Sequence, residues 1–421
     1  MKSRLIRLLA FVIVTTAGTS LLLRSAGVPW RQTGIEPLVW FVEGRQGGDS
    51  WRPALWALDV SDTLHLRSRG LYEKVFFQSK APHKGFQYPP TALLPIRAAR
   101  AVAGSDAFTA LAILNWLSIP ALMLASFVLF RPRGAPLPLS DRVLLALAVV
   151  CATLLFYPAM RAYRNGQMQA WINLLFAMAL AAWAMSRTRI SGACLAFAAM
   201  IKPQLGLFAL WAALRGQPAM LAAFALVLGT GAAATLLWLG PSPFIDYLEV
   251  LRYIAQRGET FYPNQSVNGF MNRLVQNGSS VDFGDSMPEP HALVALATAV
   301  SSVLIVGLAL IRISRGRGPE PSPEDFAFMG LAATLASPIA WEHHYGVLLP
   351  AFALLARSFL EGRLEGLRLW LTMVAWFLTA NSWEAANVFA ATPWCFLQSS
   401  LLAGVLCLGA ALRLPSSGES S

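Results

Sequence analysis

The sequence predicts an all-α polytopic membrane protein with about 11–13 membrane segments, some of them short or re-entrant. Three observations carry this. Hydrophobic residues make up 56% of the 421 positions and charged residues 13%, about half the charged share of a globular domain. The mean hydropathy is +0.53. Apolar stretches suited to a hydrocarbon core of about 30 Å recur from residue 5 to residue 412. Neither a Gly/Ser-rich linker nor an internal repeat divides the chain, so a single integral membrane domain is expected over 1–421.

Taken in order, Lys2, Arg4 and Arg7 precede an apolar run from Leu8 to Leu23. Arg24 follows at once without a small-residue cleavage site, which predicts an uncleaved first span with its N-terminus inside. Residues 24–90 form a first outer loop, and Trp51–Leu66 mixes apolar, Arg and Asp residues as an interfacial helix does. The stretch 89–104 is apolar but carries Arg97 and Arg100, which predicts a re-entrant or surface helix. Spans are then expected at 107–130, 143–160, 168–186, 190–201, 203–214, 218–239, 291–312, 325–341, 344–360, 367–380 and 394–412, with a second long outer loop at 240–290.

The segment 190–214 decides the topology. Lys202-Pro203 interrupts it, and proline removes a helix hydrogen bond. Each half spans about 18 Å at 1.5 Å per residue. Read as a hairpin with Lys202 at the outer tip, it sends the loops Arg131–Arg142, Arg187–Arg189, Arg215–Pro218, Arg312–Asp325 and Glu361–Arg368 inward. These are the Arg-rich loops, as the positive-inside rule requires.

The formal charge of +11 follows from this pattern. Basic residues gather in short joints between spans, so a nucleic-acid partner is not implied. Five Lys occur (Lys2, Lys74, Lys80, Lys84, Lys202), and the rest of the 33 basic residues are Arg. Cys151, Cys194, Cys395 and Cys407 lie in or beside apolar runs, at spacings that match neither a disulfide framework nor a zinc site. Glu342-His343-His344 lacks the His-Glu-x-x-His spacing of a zinc protease helix. Nothing in the sequence demands a metal or another cofactor.

With that topology the unusual polar residues collect on the outer side. They are Asp49, Tyr88, Arg161, Arg164, Asn165, Gln167, Lys202, Asn264, Gln265, Trp341, His343 and His344. Ionisable groups at membrane depth are expensive and commonly line a substrate path. Each also has a plain structural reading. Lys202 and the arginines snorkel, the histidines cap a turn, Gly166 makes a turn, and Asp49 caps the helix that begins at Trp51.

Several of these residues fall in ordered motifs: Asp49-Ser50-Trp51, Leu71-Tyr72-Glu73, Phe86-Gln87-Tyr88-Pro89-Pro90, Asn165-Gly166-Gln167, Lys202-Pro203-Gln204, Asn264-Gln265-Ser266, and Ser337-Pro338 through His343-His344. The set resembles glycosyltransferase family 87, whose members have the C-type glycosyltransferase (GT-C) fold. The resemblance implies transfer of a hexose, typically mannose, from a polyprenyl-phosphate-linked sugar donor to a glycolipid or glycan acceptor. It places the reaction among membrane lipids on the outer face of the cytoplasmic membrane, with inversion and a first-loop Asp as base. Asp49 takes that role by position. Members more often carry a Tyr shortly after the Asp, which is absent here, so Asp59 and Asp62 stay open. The resemblance leaves Lys202, His343, His344, Arg161 and Arg164 for the donor phosphate. Asn165, Gln167, Asn264 and Gln265 are amides suited to sugar hydroxyls, and Tyr88 or Trp341 to a sugar face. A transporter or lipid flippase, a lipid-phosphate-dependent glycan ligase or polymerase, and an assembly subunit are the alternatives.

Overall fold

The computed structural model describes residues 1–63, 70–79, 85–133, 136–284, 287–311 and 322–415. Most of the Arg312–Asp325 loop and residues 64–66 of the expected interfacial helix lie outside them. Among the described residues the secondary structure is helical, with one isolated β-bridge between Asn264 and Trp341. The protein is an all-α polytopic membrane protein.

The helices are α1 (Lys2–Ser25, with a π turn at Val14–Gly18), α2 (Glu36–Val42), α3 (Trp51–Thr63), α4 (Leu93–Ala103), α5 (Ala107–Phe130), α6 (Leu139–Leu154) and α7 (Tyr157–Asn165). There follow α8 (Gln169–Ala184), α9 (Thr188–Ile201), α10 (Leu207–Leu214), α11 (Pro218–Leu239), α12 (Ser242–Arg257), α13 (Val267–Leu274) and α14 (Ala292–Leu310). The last four are α15 (Pro323–Leu335), α16 (Leu349–Leu360), α17 (Gly366–Thr379) and α18 (Ser400–Arg413). By length and composition, among the described residues five helical stretches are able to cross a membrane. The α6–α7 pair, bent by 57°, makes a sixth. Four shorter apolar helical runs, including α8, α9 and α17, complete the bundle.

Hydrogen bonds sort the helix ends into two groups. At one end, Arg4 donates to Leu360 O, the Arg133 backbone to Glu361, Arg215 to Ile311 O, and Arg413 to Asp325 and Leu308 O. At the other end, the first loop meets the start of α8, and Lys202 Nζ lies 2.8 Å from Gln169 Oε1. Lys202 is therefore the tip of a hairpin and not the midpoint of one crossing. Pro203 prevents α9 from continuing, and a 3-10 turn at Pro203–Gly206 reverses the chain.

The same bookkeeping places α4. Its leading turn is tied to the hairpin through Thr91 Oγ1 and Met200 O, 2.6 Å apart. Its far end leads into α5, where the first loop bonds Ala112 O through Gln46. Both ends of α4 lie at one end of the bundle, so it runs along that end. Gly104, at φ +55°, makes the turn into α5. Arg97 stacks on Trp238 at 4.3 Å, and Arg100 pairs with Asp59 of α3. This is the surface helix that Arg97 and Arg100 predict.

An aromatic cluster ties α15 to α8 and α10. Phe326 of α15 packs against Phe208, Trp183, Trp211 and Phe176, with ring centroids 4.8–5.9 Å apart. Such offset and edge contacts add about 0.5–1.5 kcal/mol per pair beyond area burial.

The two ends of the bundle predict opposite labelling. In a variant with its four cysteines replaced, single cysteines at Arg31 and Arg187, both exposed, will react with an impermeant maleimide from opposite faces of sealed vesicles. Labelling from one face would refute the assignment of the two ends to opposite sides.

Candidate active site

The site is built on a backbone strap. Gly47 N donates to Arg164 O at 2.7 Å, Asp49 N to Asn165 O at 3.0 Å, and Ser50 N to Gly166 O at 3.1 Å. The first loop is thereby laid along the last turn of α7. This approach requires glycine on both sides. A Cβ on Gly166, at φ +67°, would stand 2.2 Å from Gly47 O, and one on Gly47 would stand 2.7 Å from Asn165 O. Gly166 also ends α7 in the left-handed conformation.

Below the strap Ser50 acts as a node. Its Oγ donates to Gln167 Oε1 at 2.7 Å, lies 2.7 Å from Tyr88 Oη, and accepts from Met168 N at 3.0 Å. Tyr88 Oη donates to Gln167 Oε1 at 3.1 Å, and Tyr72 holds the Tyr88 carbonyl at 2.6 Å. Burial pushes the Tyr88 phenol up to about 12, so it stays a neutral donor.

Asp49 projects from this strap and is open to solvent. The protein packed around its carboxyl raises its pKa by desolvation. Arg161, a hydrogen bond from Gln167, then Arg164 and Arg52 oppose this, and the net direction is upward. Asp59 instead pairs with Arg100, and Asp62 is exposed further along α3.

Lys202, His343 and His344 form a neighbouring group. Gln169, which accepts from Lys202, donates to Asn173 Oδ1 at 2.8 Å and to His344 O at 3.4 Å. His343 is buried, while His344 is half-buried and accepts the Trp341 N–H at Nδ1, 3.2 Å away. His344 thus caps the 3-10 turn Glu342–Leu348. Burial, then Lys202 and Arg161, hold the His343 imidazole well below its ordinary pKa. It is neutral at pH 7 and so a hydrogen-bonding group. The influence of Lys202 and Arg161 on the same ring joins this group to the strap.

The structure adds residues that sequence reasoning missed. Glu342 accepts the Tyr157 hydroxyl at 3.0 Å. Burial pushes it up to about 7, against the opposing pull of Arg161 and Tyr157. Glu259 is likewise pushed up to about 7 by burial, beside the Trp341 indole. Glu36 pairs with Arg164 at 3.1 Å. Glu342 sits inside the Trp341–His344 motif, and Gln169 is the polar residue that opens α8, so both had a local signal. Glu36 lies in an apolar stretch with none.

Other expected sugar contacts are placed differently. Asn264, with 0% exposure, donates to Glu259 O and Pro338 O and accepts from Ala340 N. Gln265 donates to Tyr262 O and Gln398 O and accepts from Leu402 N. These amides staple the second long loop to the 338–340 turn and to α18. Trp341 packs edge-on against Phe283 and His343. Arg164 Nη1 donates to Asn165 Oδ1 at 3.3 Å. A cavity of about 380 Å³ lined by Leu55, Arg100 and Phe108 lies beside α3 and contains none of the candidate residues.

A carboxylate with raised pKa, a guanidinium and an amine lie close together at one end of an all-helical membrane bundle. Groups of these kinds are able to serve acid–base and charge-stabilising roles in a transfer reaction. The chain matches the sequence profile of glycosyltransferase family 87 over residues 86–341, more than half its length, and it belongs to that family. No curated protein and no solved structure matches it.

Two outcomes follow. Gly166→Ala forces a strained φ as well as a clash, and will lower stability by about 1–3 kcal/mol, read as a lower melting temperature in detergent, with activity lost. If Asp49 is the base, activity will rise with pH along a limb above the ordinary Asp value near 4. Arg161→Gln removes a cation that lowers this pKa and will move the limb to higher pH. A limb unmoved by Arg161→Gln would argue against Asp49.

Proposed function

We propose that this membrane glycosyltransferase moves a hexose, mannose in the first instance, from a polyprenyl-phosphate sugar to a glycolipid or glycan acceptor on the outer face of the cytoplasmic membrane. The observation that carries the reading is the strap that sets Asp49 beside Arg161 and Gln167.

Asp49 is the general base. It takes the acceptor hydroxyl proton as that oxygen attacks the anomeric carbon, and the carbon–phosphate oxygen bond breaks on the opposite face, inverting the configuration. A raised pKa makes it a better proton acceptor. The transition state has oxocarbenium character, and the negative charge that builds on the departing phosphate is met by fixed donors. Arg161 supplies charge, and Lys202 and neutral His343 supply N–H donors. Asn165 and Gln167 border the sugar. Ser50 and Tyr88 hold Gln167 in place, and Asn264 and Gln265 fix the loop that carries Trp341. A lipid-linked donor also accounts for a sequence without a Gly-rich nucleotide loop.

The deciding experiment is transfer of radiolabelled mannose from polyprenyl-phosphate mannose to total lipid acceptors by purified protein, wild type against Asp49→Asn. Wild-type transfer with a loss of about 10²–10⁴-fold in the variant is expected. Equal transfer by both would move the base to Asp59 or Asp62. No transfer from any polyprenyl-phosphate sugar would favour the transporter reading.

A further inference from the structure

Two arginines lie one turn apart at the C-terminal end of α7, and α2 treats them differently. Glu36, which opens α2, is 5% exposed. Its Oε1 accepts from Arg164 Nε and Nη2, both at 3.1 Å. Trp40 stands one turn further on the same face of α2, and its ring carries the Arg164 guanidinium at 4.3 Å. With Nη1 on Asn165, all three nitrogens of Arg164 are engaged. Arg161 reaches Glu36 Oε2 only at 4.0 Å and makes no hydrogen bond among the described residues. Around it lie Tyr157, Glu342, Tyr262 and Asp49.

We infer that Glu36 is a positioning residue of the transfer site, withdrawing Arg164 from the substrate and leaving Arg161 as the guanidinium presented to the donor phosphate. The inference rests on the glycosyltransferase reading above. Its physical basis is competition for an anion. A guanidinium with a buried carboxylate on two of its nitrogens and an aromatic face below must surrender those contacts before it can grip a phosphate bidentately. Among the described residues Arg161 has only its 4.0 Å approach to Glu36 to give up and no hydrogen bond. The same clamp sets the strap, because the carbonyl of Arg164 receives the Gly47 N–H two residues before Asp49. Glu36 therefore acts at once on which cation meets the phosphate and on where the base stands.

Two measurements test this, one of them independent of turnover. The first is binding of citronellyl phosphate, a short water-soluble polyprenyl phosphate, to purified protein in detergent. Arg161→Met will weaken binding at least tenfold, the size of one lost charge-assisted contact, while Arg164→Met will change it by less than about threefold. The reverse order would overturn the inference even if transfer is observed. A wild type that neither binds this probe nor transfers sugar would overturn the functional reading and the inference together. The second is the pH profile of transfer by Glu36→Gln, which keeps the shape and removes the charge. The groups facing Asp49 are Arg161 and Arg164 from α7, Arg52 from α3, Gln167 and Tyr88. Loss of the Glu36 charge makes the potential at Asp49 more positive. The acid limb will move to lower pH and kcat will fall about tenfold to hundredfold through misplacement of the base. Adding Arg164→Met to Glu36→Gln will cost less than in the wild-type background, since the two act as one unit. A lower active fraction with unmoved limb and KM would mark Glu36 as merely structural, and the inference would fall.

Discussion

Two stretches of backbone, 47–50 and 164–166, lie close enough to exchange three hydrogen bonds, and most of what is functional here depends on that approach. A loop alone would leave Asp49 mobile on the surface, where a carboxylate is an ordinary solvated acid. Bonded along α7, it shares the local field of the arginines and touches Gln167. The approach works because neither chain carries a Cβ where they cross. Side-chain contacts then fix the rotation: Ser50 locks to Gln167 and Tyr88 on one side, and Glu36 with Trp40 grips Arg164 on the other. Because the bonds run between main-chain atoms, they dictate position while leaving the side chains free for chemistry.

The second constraint is helix length. An apolar core of about 30 Å asks for about twenty residues, and α8, α9 and the Pro203–Leu214 run are shorter. Their ends bring Gln169 and Lys202 to meet at the site end of the bundle, beneath the surface helices α3 and α4. The amphipathic α4 lies across that end, with Leu93 and Ile96 buried beneath it. The polar cluster thus gains protein on several sides, and desolvation becomes the largest influence on Asp49, Glu342 and Glu259 alike.

Much of this was legible in the sequence, for reasons that can be named. The hairpin at Lys202 followed from loop charge and the Lys-Pro break, since both act locally. The surface course of α4 followed from Arg97 and Arg100 in an otherwise apolar stretch. Asp49 and the Arg161–Gln167 segment were both recognised, but nothing along the chain showed that their backbones are bonded. Asn264 and Gln265 looked like sugar ligands because an amide at an outer loop has two possible uses, and only their partners at Pro338 and Gln398 distinguish them. Glu36 was silent because its meaning lies in a residue 128 positions away. Local patterns reveal spans, turns and breaks; pairings across the bundle remain hidden.

The staples at Asn264 and Gln265 bear on where this enzyme begins and ends. The family profile covers 86–341, yet Asp49, the proposed base, precedes that stretch and Glu342 and His343 follow it. Gln265 is held by Gln398 and Leu402, Arg273 by Ser399, and Asp325 by Arg413. The profile therefore outlines the recognisable part of the protein and not its working unit. A fragment trimmed to the matched limits would lack Asp49 and the partners that hold Gln265, Arg273 and Asp325, so the flanking helices are parts of the folded unit and not dispensable anchors.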